Sequence, residues 1–208
     1  MHSSSITVLI VDDHPVLREG LSAVIHAEDD MRVVAEAANG VEAIECFDRH
    51  RPQITLMDLR MPELDGLAAT LSIRSRWPSA RIVMLTTYRG DVPALRALKA
   101  GASGYLLKSM MRTHLLEAIR TVAAGSRYIP LEIASELAAH VADEALSDRE
   151  VEVLRRIASG GANKAIASLL HLSEETVKSH IRNILAKLSA NDRTHAVTIA
   201  IQRGIIEM

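Results

Sequence analysis

Hydrophobic residues recur along this chain in two rhythms, and the change from one to the other divides it. Early on, short and nearly continuous apolar runs have the length and β-branched content of buried strands: Thr7–Val11, Arg32–Ala37, Ile54–Asp58, Arg81–Leu85 and Gly104–Leu107. Between them, apolar residues fall at helical spacing. Pro15 opens one helix with Leu17, Leu21, Val24 and Ile25 as its stripe, and Asn39 caps a second, Val41–Arg51. Leu115, Leu116, Ile119 and Val122 mark another over Met110–Ala124, with Ser109 as its cap. Strands alternating with helices build a parallel sheet, so the pattern predicts about five β/α units.

Beyond Ala124 the strand rhythm stops. Gly125–Pro130 breaks the pattern, and the Ala-rich Glu132–Ala145 reads as a short helix within a linker. Ser147 with Glu150 three residues on forms a capping box ahead of Val151, Leu154 and Ile157. Gly160–Gly161 ends that helix, Asn163–Leu170 forms a second, and His171–Leu172 makes a turn. Ser173 opens a third helix running to about Leu188, and Arg193–Gln202 is a fourth. The expected architecture is a five-stranded, doubly wound α/β domain over residues 1–125, a linker over 126–145, and a small all-α four-helix unit over 146–208.

The strand runs end alike: in Asp12–Asp13, in Asp58, in Thr86 and in Lys108. An open parallel sheet binds ligands in the crevice at its strands' carboxyl ends, so these groups share one site. Clustered carboxylates repel unless a cation neutralises them, and Mg²⁺ suits one or two carboxylates plus water and phosphate oxygens. A carboxylate beside that ion can act as a nucleophile and form an acyl phosphate. The ion and Lys108 would then offset the charge of the phosphoryl group, and Thr86 would donate to one of its oxygens. Alone, Asp12–Asp13 would read as a solvated turn before a helix; the matched strand ends outweigh that. His14 is read as a helix-start residue without chemistry of its own, because Mg²⁺ prefers oxygen.

At these residues the first domain resembles a response-regulator receiver domain. The likeness rests on Val11–Asp12–Asp13, Met57–Asp58 with Met61–Pro62, Asp65–Gly66, Leu85–Thr86–Thr87 and Gly101–Lys108, and it covers residues 6–124. It implies a flavodoxin-like sheet with Asp58 as phospho-acceptor, Asp13 as a direct Mg²⁺ ligand, and Asp12 as a ligand mainly through water. The backbone carbonyl of Arg60 would complete the protein's metal contacts. Thr86 would be the switch hydroxyl, Tyr105 the switch aromatic and Lys108 the phosphate-contacting lysine. It also marks Arg60 and Tyr88 as positions that tune the lifetime of the phosphoryl group. One departure is that Lys108 is followed by Ser109 and not by proline.

In the four-helix unit the third helix has two faces. At 100° per residue Val177, Ile181, Ile184, Leu185 and Leu188 share an apolar arc, while Lys178, Ser179, Arg182, Asn183 and Ala186 lie opposite. Basic, amide and hydroxyl groups projecting together are what a helix in a major groove requires. Periodicity alone favours an amphipathic helix packed on its neighbours. The run Leu146–Leu154, then Asn163–Ala167, Thr176–His180, Lys187–Leu188 and Arg193–Thr194 resembles the DNA-binding domain of LuxR/NarL-type regulators. That likeness implies base reading by Lys178, Ser179 and Arg182, phosphate contacts from Lys164, Thr176 and Asn183, and pairing of two protomers through the fourth helix.

Composition narrows these readings. Net charge is −2, yet residues 147–208 hold 9 Lys+Arg against 7 Asp+Glu, so charge alone argues weakly for nucleic acid and pattern must decide. Aromatics are 2%, which excludes a base-stacking platform and disfavours an apolar small-molecule pocket in the first domain. The lone Cys46 excludes an internal disulfide. No apolar run approaches the ~20 residues that cross a membrane, and a soluble, cytoplasmic protein is expected. A phosphatase with an aspartyl nucleophile would want a second acid two residues after the first, where this chain has Arg60. The reading is therefore a non-enzymatic, two-component transcription factor: a histidine kinase as phosphoryl donor, Mg²⁺ as cofactor, double-stranded DNA as target and a homodimer as the active form.

Overall fold

The computed structural model describes residues 5–87, 90–140 and 143–206; Tyr88 lies outside them. The chain divides into two compact units, residues 1–88 with 94–132, and residues 89–93 with 133–208.

The first unit is built on five parallel strands, β1 (Ile6–Val11), β2 (Met31–Ala37), β3 (Ile54–Asp58), β4 (Ile82–Thr86) and β5 (Gly104–Leu107), in the order β2-β1-β3-β4-β5. After β1 the chain adds β2 on one side and returns to add β3 on the other. The reversal opens a crevice beyond the carboxyl ends of β1 and β3. Burial on both faces explains the continuous apolar runs. Val8, Ile10, Ile54, Leu56, Val83, Leu85 and Leu106 pack with Leu21 and Ile25 of α1 (Pro15–His26) and Leu115, Ile119 and Val122 of α5 (Met111–Ala123). Their alternates Leu9, Val11, Met57 and Met84 are as deeply buried on the opposite face. There α2 (Gly40–His50) contributes Ala43 and Phe47, and α3 (Gly66–Arg76) contributes Ala69, Ile73 and a Thr70 hydroxyl that donates to Met84 Sδ. Helix α4 (Asp91–Lys99) precedes β5.

Local rules set the helix starts. Asn39 accepts from the Glu42 N–H and Asp65 from the Ala68 N–H, each as an N-cap. Two expectations need correction. Val24 is 47% exposed, because it sits 100° round the helix from the buried Ile25. Ser109 does not cap α5: Lys108–Met110 form a 3₁₀ turn that runs straight into the helix, so Met110 takes the cap position with no side-chain bond.

The second unit is helical: α6 (Leu131–Ala139), α7 (Asp148–Ala158), α8 (Asn163–Leu169), α9 (Glu174–Lys187) and α10 (Arg193–Gln202). The Ser147–Glu150 capping box forms as the spacing predicts. Val151, Leu154, Ile157, Ile166, Val177, Ile184, Leu188 and Ala196 make one core from four short helices. Three cations clamp it. Lys187 pairs with the buried Glu150 at 3.0 Å, Arg149 donates to the Leu170 carbonyl, and Arg193 donates to the Gly161 carbonyl. Among the described residues no helix is long and apolar enough to cross a membrane.

Candidate functional site

The crevice gathers its groups because each terminates a strand or follows one. Asp12 follows β1 and is fully buried, Asp58 ends β3 at 4% exposure, and Lys108 follows β5. The Lys108 ammonium bridges the acids, 2.7 Å from Asp12 Oδ2 and 2.8 Å from Asp58 Oδ2. Thr86 ends β4 and Tyr105 lies in β5, both fully buried. Arg18 donates to the Asp12 carbonyl at 2.6 Å, anchoring α1 to the lip. Gly66 packs so closely beneath β3 that a Cβ there would lie 1.9 Å from the Asp58 carbonyl oxygen. The second residue after Asp58, Arg60, has an exposed side chain, and its backbone N–H donates to the Asp58 carboxylate.

Burial pushes the Asp58 carboxyl above the usual range and the Asp12 charge adds to that, while the Lys108 hydrogen bond opposes it. For Lys108, burial works to lower the ammonium's pKa, but its hydrogen bonds to Asp12 and Asp58 prevail and raise it. The lysine therefore stays charged, and one ammonium faces two buried acids.

Asp12, Asp13, His14 and Asp58 each offer one ligand atom, and these atoms lie within 4.8 Å of one another. Asp13 Oδ1 is a buried carboxylate oxygen that accepts no hydrogen bond, although the His14 ring nitrogen stands 2.7 Å away. A surplus of carboxylate oxygens with an unsatisfied acceptor fits an oxygen-seeking divalent ion such as Mg²⁺. His14 starts α1 as its N-cap, as expected, and lies against the acids. Its backbone N–H donates to Asp12 Oδ1, which fixes the residue over the turn and brings its ring against both acids. The direct acid–histidine adjacency in sequence was the available signal.

In the second unit, α8 and α9 meet across a turn in which His171 takes a left-handed conformation, φ 53°. Ser173 caps α9 by accepting from the Thr176 N–H, and the Ser173 and Thr176 hydroxyls are 2.8 Å apart. Lys178, Ser179, Arg182, Asn183 and Ala186 are all exposed on one side of α9, while Val177, Ile184 and Leu188 are buried on the other. Lys164 is exposed on α8. The face also carries a residue that sequence reasoning passed over. Glu175 stands with Oε2 3.5 Å from Lys178 Nζ and Oε1 3.5 Å from an Arg182 guanidinium nitrogen. Separations of three and seven residues put it on the basic face, and that periodicity was the missed signal.

The chain matches the family model "Response regulator receiver domain" over residues 8–120 and the model "Bacterial regulatory proteins, luxR family" over residues 144–200. It is 38% identical to the response regulator protein VraR of Staphylococcus aureus, over 98% of this chain and 100% of VraR. It is 36% identical to the transcriptional regulatory protein LnrK of Bacillus subtilis, over 96% and 98%. It is also similar to the structure of RcsB from Salmonella enterica serovar Typhimurium bound to promoter P1flhDC in the presence of the phosphomimetic BeF3⁻. That likeness has a TM-score of 0.73 at 26% identity and covers 96% of this chain and 99% of RcsB.

Proposed function

Since the chain belongs to the LuxR-type response regulators, with a receiver domain followed by a helix-turn-helix DNA-binding domain, we propose that it is switched by phosphorylation of Asp58. An Asp58 carboxylate oxygen attacks the phosphorus of a phosphohistidine on a sensor histidine kinase. The P–N bond breaks, an acyl phosphate forms, and the nitrogen's electron pair returns to the kinase imidazole. Asp12, Asp13, Asp58 and the Arg60 carbonyl would hold Mg²⁺, which would supply charge neutralisation for the entering phosphoryl group. Lys108 moves from bridging two acids to contacting a phosphoryl oxygen, Thr86 donates to a second oxygen, and Tyr105 follows Thr86 as the switch aromatic.

The observation that carries this reading is the Lys108 ammonium bridging two buried acids at the sheet's reversal point. Such a pair is costly to keep unless an incoming anion and cation give it work. The output is DNA binding by a homodimer in the cytoplasm. Lys178, Ser179 and Arg182 would read bases, and Lys164, Thr176 and Asn183 would contact phosphates. RcsB, its structural relative, has been captured bound to a promoter. We place the receiver at 1–125, the linker at 126–145 and the DNA-binding domain at 146–208.

Intact mass after acetyl phosphate treatment tests the switch. One phosphoryl adduct is expected with Mg²⁺, and none in chelator or in Asp58→Asn; an undiminished adduct on the variant overturns the assignment. Footprinting of the phosphoprotein should show two half-sites about 10 bp apart, one per protomer. Protection of a single half-site overturns the dimer.

A further inference from the structure

The exposed face of α9 gathers cations, and Glu175 is the acid set among them. Its two carboxylate oxygens each face one cation at 3.5 Å, Lys178 on one side and Arg182 on the other. All three, with Ile181 and Asn163, line one hollow of about 370 Å³. The Asn163 Oδ1 atom is itself buried and without a hydrogen-bond partner. The hollow thus presents one carboxylate acceptor set between two cationic donors, which hold it at long range.

We propose that Glu175 is a specificity-determining residue that makes this face reject bare phosphate and demand a base amine, cytosine N4 or adenine N6. The inference rests on α9 entering the major groove. Phosphate oxygens are acceptors only, and so is a carboxylate, so an encounter with the DNA backbone gives Glu175 no bond and adds repulsion. It also keeps part of the Lys178 and Arg182 charge engaged within the protein. In the major groove the hydrogen-bond donors are the exocyclic amines of cytosine and adenine. Only a base edge that presents one beside Lys178 and Arg182 replaces what Glu175 gives up. Discrimination then comes chiefly from weakening the wrong complex. The ion pairs themselves are exposed, so they contribute little to folding, and substituting Glu175 leaves the domain intact.

The test uses the phosphorylated full-length chain and two duplexes of equal length, one recovered by selection from a random pool and one of random sequence. For Glu175→Gln and Glu175→Ala we expect affinity for the random duplex to rise about 3- to 10-fold at low salt. The plot of log affinity against log salt for that duplex should steepen by about 1, as for one added phosphate contact. Affinity for the selected duplex should change by less than about 2-fold, so specificity falls. Repeating the selection with Glu175→Ala should lose a cytosine or adenine preference at one position of each half-site. Equal gains on both duplexes with the selected sequence unchanged would reduce Glu175 to a general charge and overturn the proposal, as would no change on either. Lys178→Ala and Arg182→Ala run alongside. If these leave all DNA binding untouched, the assignment of α9 fails and the role of Glu175 falls with it; if they weaken binding while Glu175 variants do nothing, the role of Glu175 alone fails.

Discussion

Both units bring charged groups together, but they do it in opposite surroundings. In the crevice Asp12 and Asp58 are 0% and 4% exposed and are fixed by strand ends. On α9 the Lys178 and Arg182 side chains are 54% and 71% exposed. Buried charges interact strongly and are expensive to desolvate, so each acid in the crevice has an individual cost and an individual role. Exposed charges are screened over a Debye length of about 8 Å, so those on α9 are cheap to carry and act as a set, through the pattern they present. Chemistry is kept where a charge is costly, and recognition where it is inexpensive.

The largest effect should come from breaking the buried set. Lys108→Ala leaves Asp12 and Asp58 buried without their ammonium, and thermal unfolding in chelator should show a loss of about 2–4 kcal/mol. Saturating Mg²⁺ should return roughly 2–3 kcal/mol of it by binding the folded state. The same loss with and without Mg²⁺ would mean that packing, and not charge, is responsible.

On α9 the same kind of substitution should separate binding from stability. Lys178→Ala and Arg182→Ala should each cost about 1–3 kcal/mol in affinity for the selected site while folding stability stays within about 0.5 kcal/mol. Lys164→Ala should weaken selected and random DNA alike. Anisotropy titrations paired with urea denaturation measure both; a variant that loses stability in step with affinity contradicts the comparison.

The smallest effect sharpens the contrast by reversing its sign. The folded-state pKa of Asp58 is raised, with burial as the first cause. Its contribution to stability is therefore fully present below the unfolded value and is lost as pH rises through the folded one. At neutral pH the ionised carboxylate costs stability, so Asp58→Asn in chelator should be more stable than the native chain by about 1 kcal/mol. The gap should close as pH falls through the raised folded-state pKa of Asp58 and on below the unfolded value, where the carboxyl is protonated in both states. A gap that is constant with pH would refute the electrostatic origin.

The sequence made the crevice legible because sheet geometry converts position in a strand into position in space. Asp12, Asp58, Thr86 and Lys108 each stand at the end of an apolar run, and parallel pairing brings those ends together. The faces of α9 were legible for the same reason, since a fixed 100° step sorts Val177 and Ile184 from Lys178 and Arg182. What escaped were contacts that no period encodes. The ring of His14 turns back onto the acids through a local backbone bond, and the cap of α5 moved because a 3₁₀ turn begins at Lys108. Glu175 was within reach of the periodicity, but an acid among cations does not advertise itself when cations are being sought.

Gly66 takes no part in any transfer of charge or phosphorus, yet the Asp58 carbonyl occupies the space that any side chain at this position would need. Even an alanine would have to displace the end of β3, and with it Asp58. In a saturation mutagenesis screen scored by transcriptional output, position 66 should therefore be as intolerant as position 58 itself. A chemically inert residue would carry the mutational signature of an active one, and inheritance at this site is constrained by volume alone.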